Sequence, residues 1–129
     1  LLTDEYQLDT KMTKFPGGGM HIGEGPVDCI LREAIEEFGQ EAEIIEHFYT
    51  TDYFQKALFF KEHQLISIYY LIRFKEDIKF RISSLPFDFP EMENGNQSFR
   101  WKSIKDIAED DVSFPIDKKV VMLLKEKIN

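Results

Sequence analysis

Glu33, Glu36 and Glu37 fall at i, i+3 and i+4, a spacing that puts three carboxylates within one turn if the segment is helical. Local physics opposes this arrangement. Like charges at that spacing cost a helix about 0.2–0.5 kcal/mol per pair, and the C-terminal end of a helix, where Glu36 and Glu37 would sit, favours cations. A positive partner is therefore expected. A hard divalent ion meets the need, because Mg2+ takes oxygen ligands and commonly combines one or two carboxylates with phosphate oxygens and water. Taken alone, the acidic face is equally well a solvated surface.

The element that must position these acids is a helix. Pro26 suits a first helical turn and Gly39 a stop, so the spacing predicts a helix from about Pro26 to Phe38. At 100° per residue Val27, Ile30, Leu31, Ala34, Ile35 and Phe38 form the core face, with Glu33, Glu36 and Glu37 nearly opposite. Cys29 projects near the acidic side with nothing to mark it as a nucleophile. Downstream, 42–50 and 64–75 read as strands, the second apolar on both faces and so covered on both. Short strands are expected at 78–82 and, around Trp101, at 98–102. Residues 86–97, with two prolines and Asn94-Gly95, read as a loop. The state of 53–60 stays open between a further strand and a long hairpin. Residues 116–128 close the chain as an amphipathic helix, with Ile116, Val120, Leu123, Leu124 and Ile128 in register. Together these elements predict an α/β fold, a mixed sheet with helices on both faces.

Composition narrows the function classes. With 12 Phe, 5 Tyr and 1 Trp the chain can build a real core, and its length suits one domain, residues 1–129. Because it starts at Leu1 and not at Met, some N-terminal residues are expected to be missing. A net charge of -8 and a pI near 4.9 argue against binding a nucleic acid polymer by bulk electrostatics. No apolar run approaches the roughly 18 residues of a membrane span. The single Cys29 cannot form an internal disulfide, and a cytoplasmic setting is expected.

The residues around the acids add a longer pattern. Gly18 is followed after five residues by Glu24, and after seven more by Arg32-Glu33-Ala34-Ile35-Glu36-Glu37-Phe38-Gly39. This resembles the Nudix box. All its polar and glycine positions match, and the departure is Gln40, where the family usually has an aliphatic residue. Lying past the helix, Gln40 is expected to change packing and not activity. The remaining chain, in length and strand order, also looks like a Nudix domain, an α/β/α sandwich.

The resemblance implies a Mg2+-dependent hydrolase, with Mn2+ as a substitute ion, that cleaves the pyrophosphate linkage of a nucleoside diphosphate joined to another group. Position by position, it implies that Glu36 and Glu37 bind metal. Glu33 would bind metal or act as general base toward water. Glu24 and Arg32 would support the loop-helix geometry through a salt bridge, and Gly17 or Gly18 would lend a carbonyl to the metal. Some members use a further acid outside the box, for which Glu91 and Glu93 are the candidates here, with surface solvation the favoured role for each. Lys14 and Arg73 are candidates for phosphate contacts. Phe48, Tyr49, Tyr53 and Phe54 could stack on a base, although core packing is expected of most in so aromatic a chain. The aromatic run from Tyr53 to Phe60 is also a candidate homodimer surface. The competing reading is a Nudix-fold sensor that binds a nucleotide metabolite without turnover. Nucleotide sugars, ADP-ribose, nucleoside triphosphates and dinucleotides all stay open as ligands.

Overall fold

The computed structural model describes residues 1–128. In chain order the elements are β1 (Leu2–Gln7), β2 (Thr10–Lys14), α1 (Pro26–Phe38), β3 (Ala42–Thr50), β4 (Ile68–Phe74), β5 (Gln97–Arg100), a 3-10 turn (Glu109–Asp111) and α2 (Pro115–Ile128). The fold is α/β, as expected, and its strands pair in two antiparallel sheets, β2-β1-β5 and β3-β4. No helix among the described residues is long and apolar enough to cross a membrane. The chain divides into two compact units, Gly17–Lys79 and a second formed by Leu1–Pro16 with the residues from Phe80 onward.

In the second unit, β1 and β2 form a hairpin whose two-residue turn, Leu8-Asp9, has positive φ at both positions, 48° and 58°. Two successive left-handed residues match the twist of paired strands, but Leu is an unusual choice for that conformation. Neither strand is among those expected from the sequence, because neither shows a clean apolar alternation. Leu2, Thr3, Asp4 and Glu5 are all buried in succession. Asp4 is tolerated there because Arg100 Nε on β5 donates to it at 2.7 Å, the Thr13 hydroxyl on β2 at 2.6 Å and the Phe87 N–H at 3.2 Å. A buried carboxylate with several donors ties the whole sheet to the 86–89 loop. The apolar core of this unit is Leu2, Ile107, Val112 and Val121, with Phe15 packed against it. The strand expected at 78–82 does not form, although the Ser83 N–H donates to the Phe99 carbonyl at 2.7 Å. Phe80 instead meets Phe99 edge to face, at 5.7 Å between centroids.

In the unit Gly17–Lys79, α1 occupies the expected residues. Asp28 reaches back to the Gly25 N–H at 3.1 Å, and Gly39 ends the helix in the left-handed region at φ 67° while its N–H donates to the Ile35 carbonyl at 2.9 Å. The buried face is turned from the one the wheel predicts. Cys29, Ala34 and Phe38 are buried, whereas Val27 and Ile35 are exposed. Phe38 packs edge to face on Phe74 of β4 at 5.3 Å, which fixes the helix against the ribbon. Gln40 makes two polar contacts, its amide donating to the Asp77 carbonyl at 2.9 Å and accepting from the Lys79 N–H at 2.7 Å. An aliphatic residue in this place could make neither bond.

The β3-β4 ribbon carries two register shifts, which leave Ile45 and Phe48 without opposite residues. Strand β4 begins at Ile68, shorter than the 64–75 expected. Its residues up to Ile72 are half-buried on both faces, but Leu65 and Ile66 are exposed. Residues 51–67 continue the ribbon as an irregular hairpin, held by Thr51 N–H to Ser67 carbonyl, Leu65 N–H to Gln55 carbonyl and Ala57 N–H to His63 carbonyl. That resolves the open stretch 53–60 in favour of the long hairpin. Tyr53 and Phe54 are exposed there, which leaves these two outside the core packing expected of most of the aromatic candidates.

Candidate active site

The box residues come together because α1 and the loop before it belong to the same compact unit. The loop turns back at Gly23, which takes φ 96°, and the turn is closed by the Glu24 N–H donating to the His21 carbonyl at 3.2 Å. Glu24 Oε1 then accepts from the His21 N–H at 2.7 Å. The loop is thus tied to its own acid before the helix begins.

Arg32 is the hub of the cluster. Its Nε donates to Glu24 Oε2 at 3.0 Å and its Nη2 to Glu24 Oε1 at 2.7 Å, a bidentate pair. The same Nη2 donates to the Gly19 carbonyl at 2.9 Å, and Nη1 donates to Glu33 Oε1 and Glu36 Oε2, both at 3.0 Å. The expected Glu24–Arg32 bridge is therefore present. What the sequence pattern does not announce is that Arg32 also reaches two of the acids and the glycine loop. Gly19 enters through its carbonyl alone, so no side-chain type marks it in advance.

The electrostatics follow from that geometry. The Arg32 hydrogen bonds, with the His21 N–H, hold the Glu24 carboxyl down at about 2, from an ordinary 4.5. The same carboxylates push the Arg32 guanidinium further up. One cation faces three carboxylates, so the cluster stays acidic. Burial pushes the Cys29 thiol up, and its Sγ lies 3.8 Å from the Gly18 carbonyl and 3.7 Å from Arg32 Nη2. It packs beneath the loop and is not primed as a nucleophile.

Glu33 lies against the Gly18 main chain so closely that a Cβ on residue 18 would overlap its carboxylate. Only glycine leaves that space open. Glu33 is largely shielded, with its side chain 17% accessible, while that of Glu36 is 55% accessible. Glu37 is half-buried on the following helical position. Among the described residues no three acidic, His or Cys side chains converge as a preformed metal cage. Arg32 Nη1 holds one oxygen each of Glu33 and Glu36. The available donors are nevertheless all oxygen, carboxylates beside a main-chain carbonyl, and that donor chemistry suits a hard divalent cation.

The remaining candidates each have contacts or surroundings of their own. Glu91 and Glu93 are exposed on the 86–96 loop of the other unit, where Asn96 donates to both of their main-chain carbonyls. Lys14, in that unit too, pairs with Glu5 at 3.4 Å, and Arg73 pairs with Glu43 across the ribbon. Both cations thus have carboxylate partners.

A scan against protein-family models matches the NUDIX domain over residues 1–124 of the chain. A search of curated proteins gave no match.

Proposed function

The chain belongs to the Nudix family, whose members act on nucleotide derivatives, and from that premise we propose a Mg2+-dependent hydrolase of the pyrophosphate linkage in a nucleoside diphosphate joined to another group. The observation that carries this reading is the engagement of Glu24, Glu33, Glu36 and the Gly19 carbonyl by the single guanidinium of Arg32. The family match runs through both compact units, which supports their working as one domain.

Glu36 and Glu37, with the Gly18 carbonyl, would hold the ion, and Mn2+ would serve in its place. When bound, the ion supplies the positive charge without which an acidic cluster repels a diphosphate. Glu33 is the general base in this reading. Its Oε1 is held by Arg32 and its carboxylate rests on Gly18, so its direction is set before substrate arrives. It takes a proton from water as the water oxygen bonds to phosphorus, and the bridging P–O bond breaks with its electron pair leaving on the departing phosphate. Glu24 is unsuited to that role, because both of its carboxylate oxygens are already taken, by the Arg32 guanidinium and the His21 N–H. Its part is to hold Arg32.

The test is product release from nucleotide sugars, ADP-ribose, nucleoside triphosphates and dinucleotides, with Mg2+, with Mn2+ and with chelator, for the parent chain and Glu37→Gln. Turnover that needs the ion and is lost in the variant is expected. Tight binding of one nucleotide with no turnover across the panel would replace this reading with the sensor.

A further inference from the structure

Arg32 has five N–H donors, and they meet five oxygens: two of Glu24, the Gly19 carbonyl, one of Glu33 and one of Glu36. The three carboxylate contacts are unequal. Glu24 is held through both oxygens, and its side chain is 14% accessible. Glu33 gives a single oxygen but is 17% accessible and lies against the Gly18 main chain. Glu36 also gives a single oxygen, 3.0 Å from Nη1, while its side chain is 55% accessible. One hydrogen bond at that exposure is screened by water and makes the weakest of the three contacts. The shielded bidentate pair makes the strongest.

That weakest contact falls on an acid with two cationic partners to serve. Arg32 and Glu36 stand at i, i+4, the spacing at which opposite charges stabilise a helix. Arg32 thereby offsets the repulsion among carboxylates crowded into one turn. Glu36 is also, with Glu37, a carboxylate assigned to the ion. A carboxylate can bridge two cations through its two oxygens, but the ion would then lie beside a guanidinium, and like charges at such a separation repel. Giving up the weakest contact relieves that repulsion. Arg32 keeps its other four bonds, and the Nη1 donor set free is at an exposed edge where water can take it.

We propose that the Arg32–Glu36 ion pair is a displaceable, autoinhibitory contact. It occupies Glu36 until a divalent cation binds, and Glu36 then leaves Arg32 while Glu24, Glu33 and the Gly19 carbonyl stay. This inference rests on the Mg2+-dependent reading of the site and deepens it. The consequence is a division of the hub into two parts. Glu24 and Gly19 hold the loop and Glu33 keeps its direction as base, so only the exposed acid changes partner as the ligands assemble. A cation that Glu36 binds more weakly than it binds the guanidinium is kept out.

The test is heteronuclear NMR of the arginine side chains in the full chain, beside calorimetry of Mg2+ uptake. The chain has four arginines, and the Arg32 signals are those missing from Arg32→Lys. Without ion, Glu36→Gln removes the charge of the pair and should shift the Arg32 Nη1 resonance. Saturating Mg2+ should shift the parent's Nη1 resonance in the same direction and raise solvent exchange of its protons at least ~3-fold, with Nε unmoved. The parent titration decides alone should Glu36→Gln fail to fold. Mg2+ uptake with Nη1 unmoved overturns the exchange and leaves the Mg2+ reading standing. Movement of Nε together with Nη1 also overturns it, because the whole hub then gives way. Absence of Mg2+ uptake by the parent overturns both.

Discussion

Arg32 grips Glu24 through both carboxylate oxygens, Nε to Oε2 at 3.0 Å and Nη2 to Oε1 at 2.7 Å, while its remaining donors span the Gly19 carbonyl, Glu33 and Glu36. A planar fork with several donors can serve all of these at once; an ammonium point charge cannot. The loop, the helix and two acids are thereby fixed by one side chain.

Arg32→Lys should accordingly cost activity even though the charge is kept. The expected loss in kcat/KM is about 10–100-fold, the usual effect of removing a group that orients ligands, with a matching loss in Mg2+ affinity by isothermal titration calorimetry. Parent-like values in both measurements would show that the bidentate geometry is unimportant.

The depressed Glu24 carboxyl makes a pH prediction of definite sign. Its folded pKa, about 2, lies below the unfolded 4.5, so it stabilises the fold above pH 4.5 and loses that contribution as pH falls toward 2. Glu24→Gln keeps a side-chain acceptor for the His21 N–H but has nothing to titrate. Thermal melts between pH 6 and 2 should show the difference in Tm between parent and variant closing across that window. Parallel curves over the whole range would remove Glu24 as a source of acid sensitivity.

Gly18→Ala should separate stability from function. The added Cβ meets the end of the flexible Glu33 side chain and not backbone, so Glu33 can swing aside and stability should change by no more than about 0.5 kcal/mol. The displaced base and lost fit should lower kcat about 100-fold. Urea titration beside a turnover assay reads both, and a variant as active as the parent would mean that the Gly18–Glu33 contact has no catalytic consequence.

Asp4→Asn tests the other unit. It leaves Arg100, 12% accessible at the side chain, without its charge partner, and removal of one member of a buried pair costs about 3–5 kcal/mol. Chemical denaturation should show this loss without a direct effect on the box residues. A change under 1 kcal/mol would mean that water readily replaces Asp4.

The helix α1, its glycine stop and its acids were legible in the sequence because each depends on residues within about twenty positions of one another, where 3.6-residue periodicity and glycine conformation govern, whereas the Glu24–Arg32 bridge was legible only through the resemblance to the Nudix box. The first hairpin was not, since its Leu8-Asp9 turn lacks the usual residues and its buried Asp4 depends on Arg100, 96 positions away. Nor was the true inner face of α1, which packing against Phe74 and the glycine loop turns toward Cys29. The exposure of Tyr53, Phe54 and Ile66 was hidden for a related reason. An apolar residue states a preference for burial, but whether a partner surface lies within reach depends on where the rest of the chain goes. Spacing along the chain thus determined the helix and the identity of its acids. Only the tertiary structure decided that one arginine would join two of them to Glu24 and the glycine loop, because a hydrogen bond depends on distance and angle in space and not on separation in sequence.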